Sequence, residues 1–257
     1  MMLLNFQEMG EGRPIVILHG LFGSARNWQG IARSLAESHR VITVDLRNHG
    51  NSFHKDTMSY SDMAKDVTTL CAHLKINDAI LIGHSMGGKV AMTIALTQPE
   101  QFSALVVVDI APFNYDHGFN TLIEGMLKVD LDNIKNRAEA EAELKKTTDD
   151  INIVQFVLQN LTRDEGKFCW RVNLETIYSS LPSISQFPDS LKNQTCRMPT
   201  LFLGGSESAY IKSIHNEAIY QHFPAAEITM IEGVGHWPHA EKPKEFLQEV
   251  KTFINCV

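Results

Sequence analysis

No run of lysine or arginine, no C-x-x-C pair and no apolar stretch long enough to cross a bilayer occurs in this 257-residue chain. Each absence excludes a class. With no basic cluster and a net charge of −7, the sequence predicts no nucleic-acid partner. Cys71, Cys169, Cys196 and Cys256 are scattered and read as reduced structural thiols, neither a disulfide framework nor catalytic groups. The opening MMLLNFQEMG has no basic leader and too little apolar length for a secretion signal, so the expectation is a cytoplasmic protein without a membrane span. The histidines lack H-E-x-x-H spacing and there is no G-x-G-x-x-G, so neither a metal nor another cofactor is expected. What remains is an ordinary globular composition, 44% hydrophobic and 21% charged, in a chain long enough to bury a sizeable core.

Short apolar runs recur, each closed by Gly, Asp or a polar turn: Ile15–Leu18, Val41–Val44, Ala79–Ile82, Leu105–Val108, Thr200–Leu203 and Ile228–Ile231. Runs apolar at every position suit strands buried on both faces, as in a parallel sheet. Helical stripes lie between them, such as Trp28, Ile31, Ala32, Leu35; Met63, Val67, Leu70, Cys71, Leu74; and Phe246, Leu247, Val250, Phe253, Ile254. The alternation predicts an α/β fold, a mostly parallel sheet flanked by helices, with Leu3–Gln7 as an antiparallel edge strand. After Asp109 the alternation stops. Up to about Leu191 the pattern reads almost wholly helical, with AEAEAELKK and a stripe of Val154, Val157, Leu158 and Leu161. We expect residues 112–191 to form a helical cap inserted between two parts of one core, 1–111 and 192–257.

One strand-like run, AILIGHSMGG, passes through G-x-S-x-G into a helical stretch. This strand–turn–helix setting suits a serine nucleophile. The turn strains the serine backbone, and Gly83 and Gly87 remove side chains that would collide with neighbours. Ser85 then stands at a helix N-terminus, where the dipole favours developing negative charge. The competing reading makes Ser85 an ordinary N-cap. His84 should point away from the site.

IVILHGLFG ends another run in a loop. A site of this kind takes one N–H from that loop and one from the residue after the nucleophile. Leu21 and Met86 are therefore the expected oxyanion donors, with Phe22 next in line, and His19 braces the loop. The base should follow the last strand. There EGVGHWPHAEKP offers His236 in a Gly-rich loop, with His239 its competitor beside Pro238.

The carboxylate that orients the base has two candidates. The loop after Thr200–Leu203 reads GGSESAYI, with Ser208 where Asp is usual and Glu207 one position early. The other candidate is Asp109, at the end of LVVVD. It keeps the order Ser85, Asp109, His236, and we assign the acid to it. Asp45, in VDLRNHGNS, precedes Ser85 and reads as part of a structural turn, with Arg47 pairing locally.

HGLFGSARNW, VDLRNHGNS, GHSMGGKVAM, VVDIAP and GHWPHAEKP together resemble the α/β-hydrolase superfamily, and within it the small bacterial esterases of the YbfF type. The resemblance implies the α/β-hydrolase fold, with a helical cap inserted after the sixth strand and the acid at Asp109. It also implies hydrolysis of short- to medium-chain acyl esters or thioesters, acyl-CoA included. The small-molecule acyl substrate is expected to contact Phe22 and Trp237. Phe113, Met126, Phe156, Trp170 and Tyr178 are further aromatic or apolar positions of the cap. Acyl transfer, perhydrolysis or C–C hydrolysis on the same three residues, or a ligand-binding module with a vestigial site, are the alternatives.

Overall fold

The computed structural model describes residues 2–115 and 118–257. Nine strands are present among them: β1 (Phe6–Met9), β2 (Pro14–Leu18), β3 (Arg40–Val44), β4 (Ala79–His84), β5 (Phe102–Val108), β6 (Leu161–Asp164), β7 (Lys167–Trp170), β8 (Thr200–Gly205) and β9 (Ala226–Ile231). Seven make one sheet in the order β1-β3-β2-β4-β5-β8-β9. Only β1 runs antiparallel. All six apolar runs lie inside parallel strands of this sheet.

Successive strand residues point to opposite faces, and both faces are covered. Val16, Leu81, Leu105 and Phe202 join one core with the helices Tyr60–His73 and Met86–Thr97. Ile15, Ile80, Val106 and Leu201 join the other with the helices Gln29–Leu35 and Pro243–Ile254. This is the α/β-hydrolase fold, and two-sided burial is why its strands read as unbroken apolar runs.

The edge strand begins three residues later than expected, at Phe6. Its partner β3 ends at Val44, which faces Phe6, so nothing remains for Leu3–Asn5 to pair with. The Asn5 carbonyl instead accepts from Asp45 N–H at 2.9 Å, and Asn5 N–H donates to Ser52 Oγ at 2.8 Å.

Between β5 and β8 lie the helices Phe119–Lys128, Arg137–Leu144, Ile151–Leu158 and Leu174–Ile184. Counted in this chain, they follow the fifth strand. The almost wholly helical expectation is corrected by the β6–β7 hairpin. Leu161, taken as the fourth point of a helical stripe, opens β6 and pairs with Trp170. Glu165 (φ 46°) and Gly166 (φ 87°) form the two-residue turn, both left-handed as the strand twist of a hairpin demands.

Candidate active site

In the sheet order the chain leaves β2 toward β3 on one side, then returns to β4 and proceeds outward on the other. The C-terminal ends of β2 and β4 therefore flank a switch point, the usual place for a site in an open parallel sheet. Leu21 follows β2 and Ser85 follows β4. Asp109 follows β5, Ser208 follows β8, and His236 follows β9.

Ser85 is held at φ 52°, ψ −117°, a conformation that costs a non-glycine residue about 1–3 kcal/mol. Burial of Ile80, Leu81 and Ile82, at about 1.5–3 kcal/mol per side chain, outweighs it. A Cβ on Gly83 would lie 2.3 Å from Gly87 O, and one on Gly87 2.5 Å from His19 O. Only glycine lets the turn close so near to β2. The Ser85 hydroxyl makes no capping bond to its helix.

The hydroxyl faces His236 instead. His236 Nε2 lies 3.0 Å from Ser85 Oγ, and Nδ1 lies 2.7 Å from Asp109 Oδ2. Asp109 is wholly buried. Its Oδ1 accepts Gly205 N–H at 3.0 Å, and its Oδ2 also accepts a bond from Ser208 Oγ. Ser208, at the position where Asp is usual, thus donates to the Asp109 carboxylate instead of supplying one. Glu207 is exposed, and among the described residues its carboxylate meets no histidine. Nothing local in GGSESAYI marks Ser208; its role exists because β5 and β8 are neighbours, with Val108 opposite Leu203.

His239 is buried and stacked on Trp28 at 4.1 Å. Burial, with His236 nearby, pushes its pKa down to about 3. It is a neutral ring of the core. His84 is likewise buried, and desolvation holds it well below the ordinary histidine value. Its Nε2–H donates to the His236 carbonyl at 2.8 Å and its ring lies 4.7 Å from that of His236, so, contrary to the expectation that it points away, it braces the loop by direct contact. Tyr210, unnoticed in the sequence, lies against the other side of the imidazole at 4.1 Å between ring centres.

Gly23 N–H donates to Gly20 O at 2.9 Å, closing a tight turn. Phe22 takes φ 60° in it. Two histidines pin this turn. Leu46 N–H donates to His19 Nε2 at 3.0 Å, so the His19 proton is on Nδ1, donated to Gly20 O at 2.8 Å. Phe22 N–H donates to His49 Nε2 at 3.2 Å, and His49 Nδ1–H donates to Arg47 O at 3.0 Å. Burial keeps both rings neutral, His49 with a pKa of about 3. Phe22 N–H is therefore engaged. Leu21 N–H has no protein acceptor among the described residues, and Met86, first in its helix, has none within the helix.

The segment carrying His49 does more than turn. Asp45 accepts Ala25 N–H at 2.7 Å and Asn51 N–H at 2.9 Å. Arg47 reaches Asp66 and, at 3.5 Å, Asp62 on the helix Tyr60–His73.

Leu21, Met86 and Ile110, with Phe119 and Ile184 of the inserted segment, line a cavity at Ser85. It measures about 20 Å³, room for a single water. Neither Phe22 nor Trp237 lines it. Phe22 is buried against Phe119 at 6.0 Å, and Trp237 lies 5.7 Å from Phe156. Of the other positions, Met126 is core and its carbonyl accepts from Trp170 Nε1. Tyr178 is exposed and bonded to Glu124, and Phe113 lies exposed beside Tyr115 and His215.

A family model described as the alpha/beta hydrolase fold matches residues 13–243. An sn-1-specific diacylglycerol lipase ABHD11 of Danio rerio is 43% identical over 97% of this chain and 80% of that protein. Esterase YbfF of Escherichia coli is 32% identical over 97% and 96%. A solved structure titled marine microorganism esterase superposes with a TM-score of 0.94 at 36% identity, covering 98% of this chain and all of that one. By this match across most of its length, the chain belongs to the alpha/beta hydrolase fold family.

Proposed function

We propose that this protein is a serine ester hydrolase in which Ser85 is the nucleophile, His236 the general base and Asp109 the acid that orients it. The observation that carries this is the unbroken line from Ser85 Oγ through the imidazole to a buried carboxylate, 3.0 Å and 2.7 Å. Ser85 Oγ attacks the acyl carbonyl carbon while its proton passes to His236 Nε2. The N–H groups of Leu21 and Met86 stabilise the oxyanion. His236 returns the proton to the leaving oxygen, and the acyl group stays on Ser85. A water then gives its proton to His236 as it attacks the acyl carbon, the bond to Ser85 Oγ breaks, and His236 passes the proton to Oγ, which releases the acid and restores the hydroxyl.

Leu21, Met86, Ile110, Phe119 and Ile184 give the space at Ser85 a mainly apolar wall, which suits a short- to medium-chain acyl group once Phe119 and Ile184 move aside. The names of the relatives speak of esters, and oxygen esters come ahead of thioesters in this reading. Residues 112–191 act as the cap. Phe22 and Trp237, each packed on a ring of that segment, meet the acyl group when it shifts. The site is assigned to a cytoplasmic enzyme.

A fluorophosphonate probe is expected to label the folded protein once, on Ser85, as read by peptide mass spectrometry. Labelling elsewhere, or none, overturns the assignment. Ser208→Ala removes one of three donors to the Asp109 carboxylate. A hydrogen bond to a charged group is worth about 1.5–3 kcal/mol, part of which water restores. Steady-state kcat should therefore fall by roughly tenfold.

A further inference from the structure

The helix behind Ser85 is buried on every side from Met86 to Leu96, yet it contains a lysine, Lys89, only 1% exposed. Four residues beyond Ser85, it stands one turn along the same helix face and lines the same cavity. Among the described residues no carboxylate pairs with it. Its Nζ donates to Ser185 O at 2.9 Å and lies 5.8 Å from the Tyr60 ring centre and 5.1 Å from that of Tyr115. Ser185 caps the C-terminal end of the helix Leu174–Ile184, where carbonyl groups carry the negative end of the dipole. Beside it Tyr60 Oη donates to Ile184 O at 2.6 Å, and Tyr115 N–H donates to Ser185 O at 3.0 Å. Burying an ammonium without a counter-ion is costly. An apolar side chain would fill the space without that cost, so packing alone does not account for the charge.

We propose that Lys89 is a positioning residue that sets which acyl chains the site admits, by holding the end of the helix Leu174–Ile184 down as the roof of the cavity at Ser85. This rests on the ester-hydrolase reading. Ile184 and Phe119 of the inserted segment close a space no larger than one water, so a longer acyl chain must lift the roof further. The firmer the latch, the more it disfavours long chains.

The latch depends on charge, because a neutral amine loses the cation–π attraction and most of the dipole interaction. Burial pushes Lys89 down to about 7. The facing Tyr60 and Tyr115 phenols are pushed up and stay neutral, and the bond that the helix Leu174–Ile184 offers Lys89 among the described residues is to the Ser185 carbonyl. The latch is therefore firm below about pH 7 and weakens above it.

The test compares kcat/KM on p-nitrophenyl acetate and octanoate for the wild type, Lys89→Met and Tyr60→Phe. The octanoate-to-acetate ratio should rise roughly fivefold or more in either variant. In the wild type the ratio should climb between about pH 6 and about pH 8.5, and in Lys89→Met it should stay flat. Hydrogen exchange at residues 185–187 should be faster in Lys89→Met. Equal losses on both esters, or a wild-type ratio that ignores pH, would overturn the proposal. Should the wild type hydrolyse neither ester, the ester-hydrolase reading fails, and exchange alone decides the latch: faster supports it, unchanged overturns it.

Discussion

Ser85→Ala is expected to lower kcat on a p-nitrophenyl ester by roughly a millionfold while the protein stays as stable as before. The two halves of that expectation discriminate between readings of the residue. Were Ser85 an N-cap, its loss would cost about 1 kcal/mol of stability. Its hydroxyl makes no such bond, so the unfolding free energy should stay within the range of a neutral substitution, about ±0.5 kcal/mol. The backbone at φ 52° is set by the turn and the flanking glycines, and alanine keeps the same Cβ. Nothing else among the described residues offers His236 Nε2 a hydroxyl. Activity that survives within about a hundredfold of wild type would remove Ser85 from the nucleophile's role.

Why some parts were legible in the sequence follows from the same geometry. A strand buried on both faces has one solution, an apolar run, and β4 reads AILIGH because Ile80 and Ile82 enter one core while Leu81 enters the other. The turn at Ser85 was legible because Gly83 and Gly87 are forced by backbone approaches shorter than any Cβ tolerates. The hairpin β6–β7 was not, since four-residue strands beside a helical stripe offer too few periods to tell 3.6 from 2. The brace of the loop after β2 was half visible. His19 follows β2 directly, but His49 acts from a segment 27 residues from Phe22 and leaves no periodic trace. Lys89 did leave a signal, a lone charge in a helix otherwise apolar or small, MGGKVAMTIALT. Chain order alone admits Glu207 as well as Asp109, since both lie between Ser85 and His236; what separates them is that the end of β5 and the loop after β8 reach the same corner of the sheet with different side chains turned to the imidazole.

That corner sets the second large effect. Asp109→Asn should lower kcat by roughly a thousand- to ten-thousandfold, about 4–5.5 kcal/mol of transition-state stabilisation. The carboxylate is surrounded by donors alone: Gly205 N–H on Oδ1, with Ser208 Oγ and His236 Nδ1 on Oδ2. An amide placed there must aim its NH₂ at one of them. Toward Gly205 it sets donor against donor in a fully buried space. Toward His236 it favours the tautomer with the proton on Nε2, which then cannot accept the Ser85 proton. Glu207→Gln is expected to change kcat by less than about twofold, because that side chain is exposed and apart from the imidazole. β5 and β8 pair side by side, and Asp109 N–H donates to Leu203 O at 3.0 Å. The ends of both strands lie at that corner, and the kinetics of these two variants, with circular dichroism to confirm folding, decide which carboxylate serves His236. A large loss in Glu207→Gln with a small one in Asp109→Asn would move the acid to the loop after β8, although the imidazole at 2.7 Å from Asp109 argues for the opposite outcome.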